Sequence, residues 1–413
     1  MVVVQTRINQ YYYNSESNEI MQRVVNNMQG AVLKSIRLQS VSRGLQRFDT
    51  LILNITDVCN LRCRYCCYSG AYRNTRSHGR RTLSYEQIDT ALSFLAENKK
   101  SDTVLIGFYG GECFLHFDKI RYAIEKAEVL FGESVSFFTT TNGTLLTQDV
   151  VSWLFQHSIL VNISLDGTGA HNDCNRVDSS GKGSFDIIQK NLAFIKEHYP
   201  EKWESSINFM MTLPERDQLI PIAEDWNKDP VLKDKSPVQI SALAPNYEKG
   251  VSLINEEESK AFLLKVLDVY EQHPEYAVLK AYLEGLTQEW YNRPIYPQDA
   301  PIVFSSCVPN NRKLFVDSSG AIGICEKTPD TLRIGTLKDG IEWSKVEDVV
   351  ETMTSKRMGR CDNCEFIRMC DICPTSIDLS KEEMDIFCHN QKTSLKLQLT
   401  LFCELAERGL IYG

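Results

Sequence analysis

The chain has 413 residues, of which 43% are hydrophobic and 24% charged, enough for two or three domains around a sizeable core. Its net charge of -9, with no stripe of lysine or arginine, argues against a nucleic-acid partner. No apolar run approaches the ~20 residues that span a bilayer, and MVVVQTRINQYYYNSESNE lacks the basic n-region and long apolar stretch of a secretory signal, so the expectation is a cytoplasmic protein with no membrane partner.

Residues 1–47 form a short N-terminal appendage. Within it Tyr11–Tyr13, followed by NSESNE, reads as a hairpin whose edge strand would recruit a leader peptide by strand addition. From residue 48 an apolar strand-like run alternates with a segment of helical period. The first strand is 50–56. A helix at 84–98 opens on Ser84 with Gln87 three residues on, a capping-box pattern, and places Ile88, Ala91, Leu92 and Leu95 on one face. Strand 103–110 leads to a helix at 117–131, with Ile120, Ala123, Ile124 and Ala127 inward, stopped by Gly132. Strand 135–143 leads to a helix at 147–157 capped by Thr147, and strand 159–167 to a helix at 184–197 capped by Ser184. Strand 205–213 precedes a helix near 217–227, and a sixth strand spans 237–245. Six such repeats predict an α/β fold with a parallel sheet and outer helices. The polar, glycine-rich stretches all follow strands, which is where ligands bind in such sheets. A helical bridge at 251–300 separates this unit (48–250) from a cysteine-rich region at 301–413, in which KLFVDSSGAIGIC reads as a hairpin turning at SSG.

The chain has fourteen cysteines. Cytosolic disulfides are rare, so metal binding or catalysis is the better default. Four thiols lie within 59–67 and seven between Cys307 and Cys388, while Cys113, Cys174 and Cys403 stand apart. That distribution predicts two thiol sites. The first is spaced Cys59-x3-Cys63-x2-Cys66. A disulfide knot, a zinc site and an iron–sulfur cluster are the candidates. Structural zinc usually takes four protein ligands, and Cys67 as a local fourth would need adjacent cysteines to aim at one ion. Thiolates on closely spaced loop residues hold iron–sulfur clusters, and three of them leave one iron open to another ligand.

Here the sequence resembles the radical S-adenosylmethionine (SAM) enzymes, whose signature is a Cx3Cx2C loop after the first strand of a partial (β/α)6 barrel. Tyr65 stands in the family's aromatic position before the third cysteine. Gly110, Gly111 and Glu112 resemble the GGE motif that contacts the SAM amino group, and Thr141 and Asn142 lie where the family contacts SAM after strand three. Ser164 and Asp166 fall at the ribose or carboxylate contacts, and Arg176 resembles an arginine that pairs with the SAM carboxylate. The resemblance covers roughly 48–245. It implies a 4Fe–4S cluster on Cys59, Cys63 and Cys66, bound SAM, an electron donor such as flavodoxin or ferredoxin, and removal of an unactivated hydrogen by a 5′-deoxyadenosyl radical.

The later cysteines run Cys307-x12-Gly320-x4-Cys325, Cys361-x2-Cys364-x5-Cys370-x2-Cys373, then Cys388. A structural zinc reading of the 361–373 group is the alternative. The pattern resembles the SPASM extension, which carries two auxiliary 4Fe–4S clusters in radical SAM peptide modifiers. Carried over, Cys361, Cys364, Cys370 and Cys388 would hold the outer cluster, and Cys307, Cys325 and Cys373 the inner one. Two departures matter: the last gap is two residues where the family usually has three, and 300–306 lacks the further cysteine that many members have. The inner cluster would then have three protein ligands and an open iron suited to a substrate thiolate. Glu326 stands where related sulfatase-maturing enzymes have an aspartate base, and is either a proton acceptor or a charged hairpin residue. Cys67, Cys113, Cys174 and Cys403 are expected to be buried as small hydrophobes. The function implied is a radical SAM/SPASM maturase that forms a thioether or carbon–carbon crosslink in a ribosomal precursor peptide. The alternatives are a formylglycine-generating sulfatase maturase and a non-catalytic iron–sulfur protein.

Overall fold

The computed structural model describes residues 2–21, 48–69, 76–99, 101–243, 252–295, 312–357, 359–370 and 372–410. Three short strands come first, β1 (Val2–Gln5), β2 (Gln10–Asn14) and β3 (Glu19–Met21). The alternating region then runs β4 (Thr50–Thr56), α1 (Tyr85–Asn98), β5 (Val104–Gly110), α2 (Phe117–Phe131), β6 (Val135–Thr141), α3 (Gln148–Leu154) and β7 (Ile159–Ser164). It continues through α4 (Gly169–Asp173), α5 (Phe185–His198), α6 (Pro200–Ser206), β8 (Ile207–Thr212), α7 (Leu219–Lys228) and β9 (Gln239–Ser241). Helices α8 (Glu256–Gln272) and α9 (Ala277–Tyr291) form the bridge. Strands β10 (Lys313–Val316), β11 (Ala321–Gly323), β12 (Arg333–Thr336) and β13 (Gly340–Ile341) precede α10 (Trp343–Arg357) and the long α11 (Lys381–Glu407).

Strands β4 to β9 lie side by side in chain order, every neighbouring pair parallel. This is the parallel α/β architecture expected from six repeats. The helices seal its outer face with the residues that the 3.6 period picked out. Helix α1 buries Ile88, Ala91, Leu92 and Leu95, and α2 buries Ile120, Ala123, Ile124 and Ala127. Each fully buried Leu or Ile side chain contributes about 1.5–3 kcal/mol. The capping box of Ser84 and Gln87 is present, Thr147 caps α3, and Gly132 ends α2 at φ 61°.

Several local expectations are corrected. Ser184 does not cap α5: its hydroxyl donates to the Arg176 carbonyl (2.8 Å), and the Asp173 carboxylate takes the N–H groups of Ser184 (2.8 Å) and Phe185 (2.9 Å) instead. The fifth strand begins at Ile207 rather than 205 because Pro200, pre-set for a first helical turn, starts α6. The sixth strand is three residues long, and the end of its expected range lies outside the described residues.

The cysteine-rich region is not a separate sheet. Strand β10 pairs in parallel with β4, Lys313 opposite Thr50 through Val316 opposite Leu53, and β11, β12 and β13 follow antiparallel. Among the described residues one sheet of ten strands results. The hairpin expected at KLFVDSSGAIGIC is there, turning at Asp317–Gly320.

The N-terminal strands form a small antiparallel sheet, including the hairpin expected after Tyr11, and Asn18 closes that turn at φ 63°. Tyr13 packs against Trp290 and Phe366, with ring centroids 5.2 and 5.8 Å away. Arg7 meets both carboxylate oxygens of Asp268 at 2.9 Å, and the Thr6 hydroxyl donates to Glu407 (2.8 Å). The appendage is thus fastened to α8, α9, α11 and the second thiol loop.

Candidate active site and thiol centres

The first thiol loop leaves the C-terminal end of β4. It is pinned to the segment after α4, where the Val177 and Asn175 carbonyls accept from the Arg62 (2.6 Å) and Arg64 (3.0 Å) amides. Backbone N–H groups already point at sulfur: Leu61 donates to Cys59 Sγ and Tyr68 to Cys66 Sγ, each at 3.4 Å. Burial pushes the Cys59 thiol up to about 12 and raises Cys63, the latter opposed by the charge of Arg176; Cys66 is raised by its hydrogen bond with Cys67 and by burial. Buried thiols of this kind become thiolates when a metal takes the proton's place. Three thiols on one short loop, spaced Cys59-x3-Cys63-x2-Cys66, have the chemistry of an iron–sulfur ligand set.

Glu112 lies beneath this loop, 1% exposed. Its carboxylate accepts from the Thr141 hydroxyl (2.9 Å), the Asn142 amide (2.8 Å) and the Phe114 amide (3.1 Å), and burial raises it despite these donors. The glycines before it have a role in packing. A Cβ on Gly110, at φ +141°, would stand 2.3 Å from the Thr56 carbonyl, and one on Gly111 2.3 Å from the Val58 carbonyl. They let the end of β5 lie against the chain that carries the thiols. Asn142 joins in from β6, donating to Asn60 Oδ1 (2.8 Å), and Asn60 donates to Thr144 (2.9 Å). Asn60 and Thr144 join the site through contacts that the motifs do not announce; the one local sign is that Asn60 directly follows Cys59.

Tyr65, Asp166 and Arg176 converge beside Cys63. The Tyr65 hydroxyl donates to Asp166 and accepts from Arg176 Nη1 (2.7 Å), with Arg176 3.8 Å from Asp166. Asp166 also accepts from the Thr212 amide (2.9 Å), and burial raises its carboxyl against the pull of Arg176 and Tyr65. Arg176 Nε is buried with no hydrogen-bond partner. An unspent guanidinium donor beside Cys63 suits a ligand carboxylate. Ser164 ends β7, opposite Met210 of β8 and two residues before Asp166.

At the second centre Cys361, Cys364, Cys370 and Cys388 line one pocket, together with Phe366, Ile372 and Leu395. Burial raises their thiols, Cys361 to about 11 and Cys370 to about 12. Arg357, Arg360 and Lys392 lie close enough to act electrostatically on them, which offsets the charge of four thiolates. Cys325 ends the β10–β11 hairpin near Cys373, and Cys307 lies outside the described residues. Glu326 pairs with Lys313 Nζ at 3.0 Å. Cys113 and Cys403 are buried as expected, but Cys174 is exposed and Cys67 only half-buried, against Cys66.

A parallel sheet with three thiols at the end of its first repeat strand defines the class. Residues 53–224 match the family model described as Radical SAM superfamily, and the chain carries a radical SAM domain. It is similar to the cysteine-type anaerobic sulfatase-maturating enzyme of Clostridium novyi, 28% identical over 38% of this chain and 42% of that one. A serine-type enzyme of Bacteroides thetaiotaomicron is 28% identical over 34% of each chain. The chain thus spans less than half the length of these two relatives. A cysteine-type enzyme of Clostridium perfringens aligns over 83% of this chain and 94% of its own, at 23% identity. The fold is shared with the structure described as native anSMEcpe with bound AdoMet, at TM-score 0.65 and 17% identity over 87% and 99% of the two chains.

Proposed function

We propose that this chain is a radical SAM maturase that takes a hydrogen from a peptide substrate. The observation that carries the reading is the loop of Cys59, Cys63 and Cys66 beside the Tyr65–Asp166–Arg176 group, with Arg176 Nε left for an acceptor. A 4Fe–4S cluster on the three thiols supplies, when bound and reduced, the electron that cleaves SAM. Arg176 would hold the SAM carboxylate, and Tyr65 and Asp166 would hold Arg176 in place. Glu112 and Asn142 keep the loop and β6 together around the site, and Ser164 stands at the strand end where the ribose would lie. Cys361, Cys364, Cys370 and Cys388 would hold one auxiliary 4Fe–4S cluster and Cys307, Cys325 and Cys373 the other. Glu326, kept by Lys313, would accept a proton from the substrate.

The substrate reading is a ribosomal precursor peptide that gains a thioether or carbon–carbon crosslink. Its support is the sequence pattern, in which Cys307, Cys325 and Cys373 lack the further cysteine that many members have before the first, which would leave room for a substrate thiolate. The N-terminal sheet, whose outer strands β1 and β3 each pair only with β2 among the described residues, would receive the leader. Reduction would come from flavodoxin or ferredoxin. A second reading, formylglycine formation on a sulfatase, is favoured by the relatives' names; the neighbouring reading frame, a small cysteine-bearing peptide or a sulfatase, separates the two. The test is 5′-deoxyadenosine formation by anaerobically reconstituted protein with dithionite and SAM, with mass spectrometry of the co-expressed neighbouring peptide. Replacing Cys59, Cys63 and Cys66 by alanine abolishes the nucleoside; its persistence would overturn the reading.

A further inference from the structure

Asp57 sits two residues before Cys59, with its side chain 1% exposed. Its carboxylate takes three donors, two of them from segments distant in sequence. Oδ1 accepts from Ser318 Oγ (2.7 Å) and from Asn54 Nδ2 (3.2 Å), and Oδ2 accepts from Arg81 Nε (2.8 Å). Its backbone closes the same junction, with its amide donating to the Arg81 carbonyl (3.0 Å) and its carbonyl accepting from Gly79 (3.3 Å).

Ser318 lies in the turn of the β10–β11 hairpin, seven residues before Cys325. A second grip lies beside it. Gln87, which closes the α1 capping box, also donates Nε2 to the Ser319 carbonyl at 2.8 Å. A Cβ on Gly320, at φ +84°, would stand 2.6 Å from that nitrogen, so the turn is shaped to be held. The network then runs on toward the second site. Arg81 reaches Asp330 (3.2 Å), and Arg333 bridges Asp330 (2.9 Å) and Asp317 (2.7 Å). Thr328, two residues from Asp330, donates its hydroxyl to the Cys325 carbonyl (2.8 Å). Polar contacts, buried at Asp57 and Ser318 and exposed at Arg81 and Asp330, therefore run from the loop of the first thiol site to the hairpin that leads into Cys325.

We propose that Asp57 is a positioning residue that locks the first thiol loop to the hairpin carrying Cys325 and so fixes the distance between the two thiol sites. A buried carboxylate that loses a donor is left with an unsatisfied polar atom, which is costly. Movement of the hairpin would remove Ser318 from Asp57, and the cost would fall on the residue that leads into Cys59. The two loops therefore shift together or not at all. The consequence for turnover rests on the function proposed above: a substrate held between the sites would meet the reactive species only while the joint is closed.

The test uses the full-length, anaerobically reconstituted protein, with hydrogen exchange read by mass spectrometry. Ser318→Ala removes one hydrogen bond to a buried carboxylate, worth a factor of about ten or more in opening. Exchange is expected to speed up by about tenfold in peptides covering both 57–67 and 317–325, with 185–198 unchanged, and Ser318→Thr is expected to restore protection. Faster exchange confined to the hairpin would overturn the joint. In turnover, Ser318→Ala is expected to keep 5′-deoxyadenosine formation but to raise, several-fold, the nucleoside formed per peptide modified; an unchanged ratio would remove the catalytic consequence. A wild-type protein that makes no 5′-deoxyadenosine would sink the proposed function, while the exchange result would still decide the joint.

Discussion

The Arg176 guanidinium donates to the Tyr65 hydroxyl at 2.7 Å, and that hydroxyl in turn donates to the Asp166 carboxylate. The three residues come from the thiol loop, the end of β7 and the segment after α4. Tyr65 thereby ties the loop to the far side of the site. Tyr65→Phe would leave a buried donor and a buried acceptor unmatched, and we expect a loss of about 1–3 kcal/mol. Arg176→Ala, which strands Asp166 in the interior, should cost more, about 3–5 kcal/mol. Urea denaturation of the two variants against wild type measures both, and titration calorimetry should show weaker SAM binding in each.

Two glycines give opposite expectations. Gly111→Ala would set a methyl group 2.3 Å from the Val58 carbonyl. The loop must move, so we expect about 1–3 kcal/mol of destabilisation and less iron retained at the first site. Gly285 lies inside α9, and a Cβ there meets nothing within 4 Å. Gly285→Ala should stabilise by about 0.5–1 kcal/mol. Thermal denaturation and iron analysis of the pair separate a packing effect from a general glycine effect.

Acid should loosen the β10–β11 hairpin. Burial works to raise the Asp317 carboxyl, but hydrogen bonds from Ser319 and Ala321 and the charge of Arg333 outweigh it and hold it below the ordinary 3.8. A depressed value means that the unfolded chain binds the proton more readily. The stabilisation is therefore fully present above about pH 3.8 and is lost as pH falls through the lower folded value. Asp317→Asn should remove that pH dependence and cost about 1–3 kcal/mol at neutral pH. The difference between the wild-type and variant stability curves from pH 2 to 6 is the measurement; a flat difference would contradict the assignment.

Iron content should fall in steps. With three cubanes bound, reconstituted protein carries about twelve irons per chain. Cys388→Ala removes one of the four thiols around the pocket shared with Cys361, Cys364 and Cys370, and should lower the count by about four while leaving the first site able to cleave SAM. Loss of all iron, or no loss, would argue against separate centres.

The N-terminal sheet should be held by its aromatic anchor far more than by its ion pair. Tyr13 fills a buried slot against Trp290 and Phe366, so Tyr13→Ala should cost about 3–5 kcal/mol, the range for emptying a large aromatic site. Arg7→Ala, at a half-exposed pair with Asp268, should cost at most about 1 kcal/mol. Limited proteolysis within residues 2–21 reports both.

Local pattern made much of this protein legible. The helices α1 and α2 follow from apolar residues at helical spacing, the Ser84 and Gln87 pair announces a helix start, and Cys59, Cys63 and Cys66 stand out by spacing alone. Each of these signals lies within one short stretch, where backbone geometry and burial of one face are enough to choose the element. Ser184 misled because a cap is chosen by whichever acceptor reaches the free amides, and Asp173 reaches them first.

Tertiary structure alone decided the rest. It laid β10 against β4, gave the carboxylate of Glu112 to Thr141 and Asn142, gathered Cys388 with three thiols from another segment, and brought Ser318 to Asp57 across 261 positions. Such partners are selected by the closure of long loops and by the need to satisfy every buried polar group at once. No local periodicity records that selection, because either residue of the pair would look the same in the sequence if the other stood elsewhere.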